Sequence, residues 1–347
     1  MISLGQFKEI RPIAFESHWR SPANIAFVKY WGKKGHQIPA NPSLSLTLSE
    51  CYTETSLTFT PGNFSVEVIF DGKKEDKFAE KIQKYISTLV TEVPALGQLQ
   101  YKVKTMNTFP HGAGIASSAS GLSALALCLT DYLYFQLDQK NNSTFYQMAS
   151  NLSRLASGSA CRSIYGSMVS WGESELAGSS DEFATPFDVH PEFQNLQDTI
   201  LVISAAEKNV SSRAGHDRMK EHPFAEARFI QAKNNYSTML KALAVGDLEV
   251  VGNLLEVEAL TLHAMMMTSP DSYTLLKPNS LVAIDLVRDF RKQTGIPVYF
   301  TFDAGPNLHL IYPAQYKEKI TVFASHELAP ICSKIIYDEC GKGPVRC

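Results

Sequence analysis

The chain has 347 residues, 44% of them apolar and 19% charged, with a formal net charge of −3. That length accommodates one large domain or two ordinary ones. The balance of charge provides neither the basic field that nucleic acid needs nor an acidic tail, so an anionic ligand has to be met by local positive charge. Cys51, Cys128, Cys161, Cys332, Cys340 and Cys347 are scattered and form no Cys-x-x-Cys pair. This spacing argues against a zinc site or a dense disulfide framework and leaves reduced thiols as the expectation, although Cys332 and Cys340 could pair. No apolar core of signal-peptide length opens the sequence, and the run Leu122 to Leu129 is too short to cross a bilayer. A soluble cytoplasmic protein without a membrane or nucleic-acid partner is expected.

In chain order, Ala26 to Tyr30 and Ser43 to Leu48 have the composition of strands. Ser56 to Thr60 and Ser65 to Phe70 suggest another pair, joined by the turn Pro61-Gly62-Asn63. From Asp76 to Val90, Phe78, Ile82, Tyr85, Ile86 and Leu89 recur at helical spacing and predict an amphipathic helix. Leu99 to Thr105 alternates as a strand does. Leu122 to Tyr134 reads as a buried helix and Tyr146 to Ala156 as a further one. The polar stretch Gly172 to Gln197 reads as a long loop with a domain boundary near its end, dividing the chain into 1–195 and 196–347. Thr199 to Ser204 then predicts a strand. Helices follow over Phe224 to Ala244 and Asp247 to Met265, separated by Gly246-Asp247, with another over Ser280 to Gln293. Val298 to Phe302 and Leu308 to Tyr312 form a hairpin around Asp303-Ala-Gly-Pro-Asn307. The pattern is α+β in two domains.

Four segments carry chemistry. Pro110-His-Gly-Ala-Gly-Ile-Ala-Ser-Ser-Ala-Ser-Gly121 opens an apolar helix. Its glycines permit close backbone approach to a ligand, and free N–H groups at a helix start favour a phosphate. The serine hydroxyls could add hydrogen bonds or meet Mg²⁺ through oxygen. No Gly-Lys-Ser/Thr ending is present, so this is not a Walker loop; read alone, it is equally a Gly/Ser turn capping a core helix. Ala156-Ser-Gly-Ser-Ala-Cys-Arg-Ser163 packs small residues around the cation Arg162, and by itself reads as a close helix–strand contact. In Asn24-Ile-Ala-Phe-Val-Lys-Tyr-Trp-Gly-Lys-Lys34, Lys29 stands within an apolar strand and must meet a carboxylate or a polar cavity. Thr301-Phe-Asp-Ala-Gly-Pro-Asn307 places Asp303 in a turn, where an Asx turn is the simplest role.

Taken in order, these segments resemble the diphosphomevalonate decarboxylases, a branch of the GHMP small-molecule kinases, from Ser21 to Gly341-Lys-Gly-Pro344. Ser211-Ser-Arg-Ala-Gly215 is similar to that family's substrate-loop motif. His111 and Gly112 depart from the usual phosphate loop. His216, His222-Pro223 and Asp181-Glu182 are further departures, bearing on fine substrate preference.

The resemblance implies a ribosomal-protein S5 domain 2-like N-terminal domain and a ferredoxin-like C-terminal one. It implies ATP-dependent decarboxylation of mevalonate 5-diphosphate with ATP and Mg²⁺, and a homodimer. Asp303 would act as general base and electrostatic stabiliser, Lys29 would hold it ionised at close range, and Arg162 would orient the substrate carboxylate. Tyr30, Lys33, Ser157, Ser159, Ser212 and Arg213 would surround the substrate and its diphosphate. Gly112, Gly114, Ala116, Ser117 and Ser118 would receive ATP, with Ser118 on the metal. A mevalonate 3-kinase or a phosphomevalonate decarboxylase is the alternative; presence of both Asp303 and Lys29 speaks against the first, and of both Lys33 and Arg213 against the second.

Overall fold

A computed structural model describes residues 4–110, 115, 117–206 and 210–347, and within them all side chains but that of Arg213. The first half contains β1 (Phe15–Val28), β2 (Lys33–Gly35), β3 (Ile38–Pro39), β4 (Ser43–Pro61), β5 (Ser65–Phe70) and β6 (Lys73–Lys74). Then come α1 (Asp76–Val90), β7 (Leu99–Asn107), α2 (Ser117–Gln136), α3 (Ser143–Ala156), β8 (Met168–Trp171) and β9 (Thr185–Pro186). The second half contains β10 (Leu196–Val202), α4 (Ser212–Arg218), α5 (Ala225–Val245), α6 (Leu248–Met267) and α7 (Pro278–Thr294). It closes with β11 (Tyr299–Phe302), β12 (Leu308–Pro313), α8 (Lys317–Phe323), β13 (Lys334–Glu339) and β14 (Val345–Arg346).

The first sheet runs β14-β1-β4-β7-β5-β6, with β8 and β9 branching from β4; the second runs β11-β12-β10-β13. Along β4, Cys51, Thr53, Thr55, Leu57 and Phe59 are buried while the residues between them are partly open. That is the period-two pattern of a strand covered on one face. Residues 43–48 of the same strand are buried throughout, because the second half packs on their other side. α2 is buried from Leu122 to Tyr134, as a helix apolar all round must be. α3 is started by the Asn142 side chain, which accepts from the Thr144 and Phe145 N–H groups. Gly246, at φ 84°, ends α5, and the Asp247 carboxylate caps α6.

The strand expectations need correction in one place. Ser43 to Leu48 and Ser56 to Thr60 are parts of one strand, and β5 does not form a hairpin with it across Pro61-Gly62-Asn63. β5 instead runs parallel to β7, Ser65 opposite Gln100 through Phe70 opposite Thr105. Parallel pairing needs a crossover, and α1 provides it. Period-two alternation identifies a strand but not its partner.

Two polar anchors and an apolar seam hold the sheets together. Phe27, Leu44 and Leu46 from the first half share a core with Ile200, Met239, Leu243 and Leu255 from the second. The Asp338 carboxylate on β13 accepts from the Ser49, Glu50 and Cys51 N–H groups. On α6, fully buried Glu258 accepts from both Arg228 Nη atoms, from Asn235 Nδ2 and from the Lys29 N–H. By length and composition α6 could cross a membrane. Its buried face, however, carries Glu256, Glu258 and His263, each engaged with other elements of the fold.

Removing one partner of a buried ion pair strands the other charge and costs about 3–5 kcal/mol. Arg228→Met should therefore lower the free energy of unfolding by that amount in urea titration; an unchanged midpoint would show that Glu258 does not depend on Arg228.

Candidate active site

β1 ends by delivering Lys29 into the interior. The residue is 1% exposed. Its Nζ donates to the Ala26 carbonyl at 2.6 Å and to Thr301 Oγ1 at 2.9 Å. Its N–H is held by Glu258 and its carbonyl accepts from Asn41 Nδ2 at 3.0 Å. Burial pulls the Lys29 pKa down to about 8, opposed by the charges of Asp303 and Glu258 and reinforced by those of Arg162 and Arg228.

Arg162 lies on a tight helical segment, Gly158–Ile164, and is 2% exposed. Its guanidinium donates to Ser43 Oγ at 2.6 Å, Ser45 Oγ at 3.0 Å and Asn24 Oδ1 at 3.3 and 3.4 Å. These acceptors are neutral, and among the described residues no carboxylate pairs with it. Burial pulls its pKa down, with the Asp303 charge among those opposing the shift.

Asp303 follows β11 and is half-buried. The turn after it is closed by its backbone: the Asp303 carbonyl accepts from Gly305 N–H at 2.7 Å and faces His263 Nε2 at 3.1 Å. Among the described residues the turn makes no hydrogen bond to the Asp303 carboxylate. Nor does any hydrogen bond or ion pair join that carboxylate to Lys29. The close contact expected between the two is corrected to an interaction of charge, with Thr301 taking the ammonium's hydrogen bond.

Tyr30 is buried edge-on to Trp171, and its hydroxyl has no hydrogen-bond partner among the described residues. Gly158 permits this packing, since a Cβ there would lie 2.8 Å from the Tyr30 hydroxyl and from the Trp171 ring. Ser157 and Ser159 flank that glycine, both partly open. α4 closes over the segment after Tyr30. Gly215 lies where a Cβ would reach Trp31 at 2.4 Å, and His216 Nδ1 accepts from the Gly32 N–H at 2.9 Å. Ser212 is exposed on α4, and the Lys33 charge acts on both His216 and Asp217. α4 thus stands beside Lys33; the side chain of Arg213 lies outside the described residues.

Ser117 and Ser118 form the first turn of α2, as expected, and Ser118 is exposed. Both line a cavity of about 280 Å³. Thr53, Thr55, Thr105 and Asn107 supply its polar wall, and Val68, Phe70, Phe78 and Ile82 its apolar one. Gly112, Gly114 and Ala116 lie outside the described residues.

Several residues that build the site were not singled out in the sequence. Glu258 left a signal, a carboxylate within the apolar run of α6. Thr301 left another, a hydroxyl within an apolar strand two residues before Asp303. Asn24, Asn41, Ser43 and Ser45 left none, because a neutral polar residue in a strand is ordinary until a buried cation is found against it.

Comparison with known proteins places these features in a family. Residues 21–184 match the model of the diphosphomevalonate decarboxylase-like N-terminal domain. Residues 199–342 match that of the mevalonate 5-diphosphate decarboxylase C-terminal domain. The chain is 31% identical to the diphosphomevalonate decarboxylase of Gibberella zeae, over 84% of this chain and 79% of that one. It superposes on the structure of MDDEF in complex with MVAPP, AMPPCP and magnesium with a TM-score of 0.84, at 31% identity over 96% and 99% of the two chains. The mevalonate diphosphate decarboxylase of Staphylococcus aureus gives a TM-score of 0.84 at 30% identity, over 96% and 98%.

His216 generates a prediction about acid stability. Burial first, and then the Lys33 charge, press its pKa down from 6.5 to about 3. A folded-state pKa below the unfolded value means that the unfolded chain binds the proton first. The stabilisation is complete above pH 6.5 and is lost as pH falls toward 3. Between pH 7 and 5 the protein should lose about 2 kcal/mol relative to His216→Gln. Denaturant titrations at the two pH values measure this, and equal losses in both proteins would refute it.

Proposed function

The chain belongs to the diphosphomevalonate decarboxylase family, and from that premise we propose that it converts mevalonate 5-diphosphate and ATP to isopentenyl diphosphate, ADP, phosphate and CO₂. The observation that carries this reading is the pair of buried cations, Lys29 and Arg162, whose side chains are hydrogen-bonded by neutral oxygens within the electrostatic reach of Asp303. Buried charge without a counter-ion is costly. A substrate carrying a carboxylate and phosphates supplies the missing negative charge. The named relatives and the structure with MVAPP, AMPPCP and magnesium support the same assignment.

Roles follow from chemistry. Arg162 offers a planar fork suited to a carboxylate. Lys33 and α4, with Ser212 and Arg213, form the end suited to the diphosphate. Tyr30 brings an unsatisfied hydroxyl, and Ser157 and Ser159 bring two more. The cavity at the start of α2 suits a nucleotide, with an apolar wall for a base and helix N–H groups for phosphates. The exposed Ser118 hydroxyl is a hard oxygen donor of the kind Mg²⁺ accepts, and the ion would supply charge neutralisation between phosphates. Gly112, Gly114, Ala116 and Ser117 would complete the phosphate loop.

In the reaction, Asp303 takes the proton of the 3-hydroxyl as its oxygen attacks the γ-phosphorus of ATP. The C3–O bond then breaks with release of phosphate. The electron pair of the bond to the carboxylate moves toward C3, releasing CO₂ and leaving the alkene. As the phosphate leaves, Asp303 gives that proton to it, and the carboxylate so regenerated stabilises the developing cation. Lys29 and Arg162 offset the charge of the transferring group.

Asp303→Asn preserves shape and removes charge. Losing a general base costs about 10²–10⁴-fold in turnover. The variant should show that loss in both ADP and CO₂ release with mevalonate 5-diphosphate, with ATP binding and melting temperature unchanged. Parallel assays with mevalonate and its 5-phosphate should give little CO₂. Normal CO₂ release from a variant that melts early would make Asp303 a structural residue and end this reading.

A further inference from the structure

Behind the site, on the second sheet, lies a hydrogen-bonded carboxylate–imidazole pair that none of these roles uses. Asp198 on β10 and His309 on β12 are 0% and 1% exposed, and Asp198 Oδ2 lies 2.7 Å from His309 Nδ1. The outer atoms of the pair, Asp198 Oδ1 and His309 Nε2, have no hydrogen-bond partner among the described residues. Leaving such atoms buried costs stability, so packing alone gives no reason for the pair.

Its position gives one. His309 stands directly opposite Thr301 across the β11–β12 ladder, and directly opposed residues of antiparallel strands project to the same face with Cβ atoms about 4.5–5.5 Å apart. Thr301 Oγ1 is the acceptor of the Lys29 ammonium. From Lys29 the line runs through the Thr301 hydroxyl to His309 and Asp198. Resting on the role given to Lys29 above, we propose that Asp198 and His309 are a positioning pair for the reaction: they hold a negative charge behind Thr301 that keeps the Lys29 ammonium protonated.

The surroundings fit. The ionisable groups facing the pair are Asp338, across from Asp198 on β13, the Cys51 thiol, the Tyr312 phenol and Lys29. Asp338 is occupied by backbone N–H groups and the Tyr312 hydroxyl by Thr199. Lys29 is the cation among them. Burial raises the Asp198 pKa, His309 opposes this most, and the Lys29 charge also pulls it down. Electrostatic attraction is mutual, so an ionised Asp198 stabilises the charged form of Lys29 in turn. Support of this kind matters because burial has brought Lys29 down to about 8.

The test follows kcat/KM against pH together with the titration of the Lys29 side chain by NMR, on the whole chain. In the unaltered protein activity should fall as pH rises through about 8, where Lys29 loses its proton. Asp198→Asn should move that limb, and the Lys29 titration with it, toward acid by about one unit. The double variant Asp198→Asn, His309→Gln replaces the pair with two neutral amides and should shift both by the same amount; it guards against a single variant that does not fold. His309→Gln alone keeps the carboxylate and a donor to it, and should leave the limb in place. An unmoved limb and titration in both Asp198 variants, with Lys29→Met inactive, overturns the inference and spares the reading beneath it. Full turnover by Lys29→Met overturns that reading.

Discussion

The Glu258 carboxylate is the interaction on which the geometry depends. One buried side chain of α6 gathers the Arg228 guanidinium, the Asn235 amide and the Lys29 N–H. α5 and α6 are thereby joined to the end of β1 at the residue whose side chain enters the site. Arg228 offsets the Glu258 charge, and the remaining oxygen capacity fixes the backbone of Lys29. A buried carboxylate with fewer donors would be a liability; with these it is a clamp that sets where the ammonium points. Asp338 does the same work farther along the seam, catching three successive N–H groups where β4 leaves its fully buried stretch.

Within that frame the chain keeps two cations in the dark. Lys29 is satisfied by a carbonyl and a hydroxyl, Arg162 by two serines and an asparagine. Neutral acceptors hold these groups in place without cancelling their charge. The arrangement costs folding energy and concentrates positive potential where water is scarce, which is where electrostatic preorganisation is most effective. Asp303 balances the potential in part, from a turn that its own carbonyl closes. Its carboxylate is thus not used by the loop.

Legibility followed the kind of signal each element left. The amphipathic spacing of α1, the unbroken apolar run of α2 and the Gly246-Asp247 break were readable because helical structure is set by near neighbours. β5 was readable as a strand and misread as a hairpin partner, because pairing is decided by residues far away. α4 was missed as a helix: it has only 7 residues, and it is held by Gly215 against Trp31 and by His216 on Gly32. Of the site, Lys29, Arg162 and Asp303 drew attention as charges in apolar or tight surroundings. The neutral residues that cradle them, and the Asp198–His309 pair, became visible only when strands distant in sequence were laid side by side.

The short strand β14 lies beside Trp19 and Arg20 of β1, Arg346 reaches the buried Asp131, and the Cys347 N–H bonds the His18 carbonyl. The outer edge of the first sheet is therefore finished by residues made after the whole second half. During synthesis that edge of β1 stays open, with unpaired backbone groups of the kind on which chains aggregate. Closing it is a contact of very long sequence separation, the sort that slows folding. The border of the first half is sealed by residues 345–347, so completion of the second half is recorded in the first.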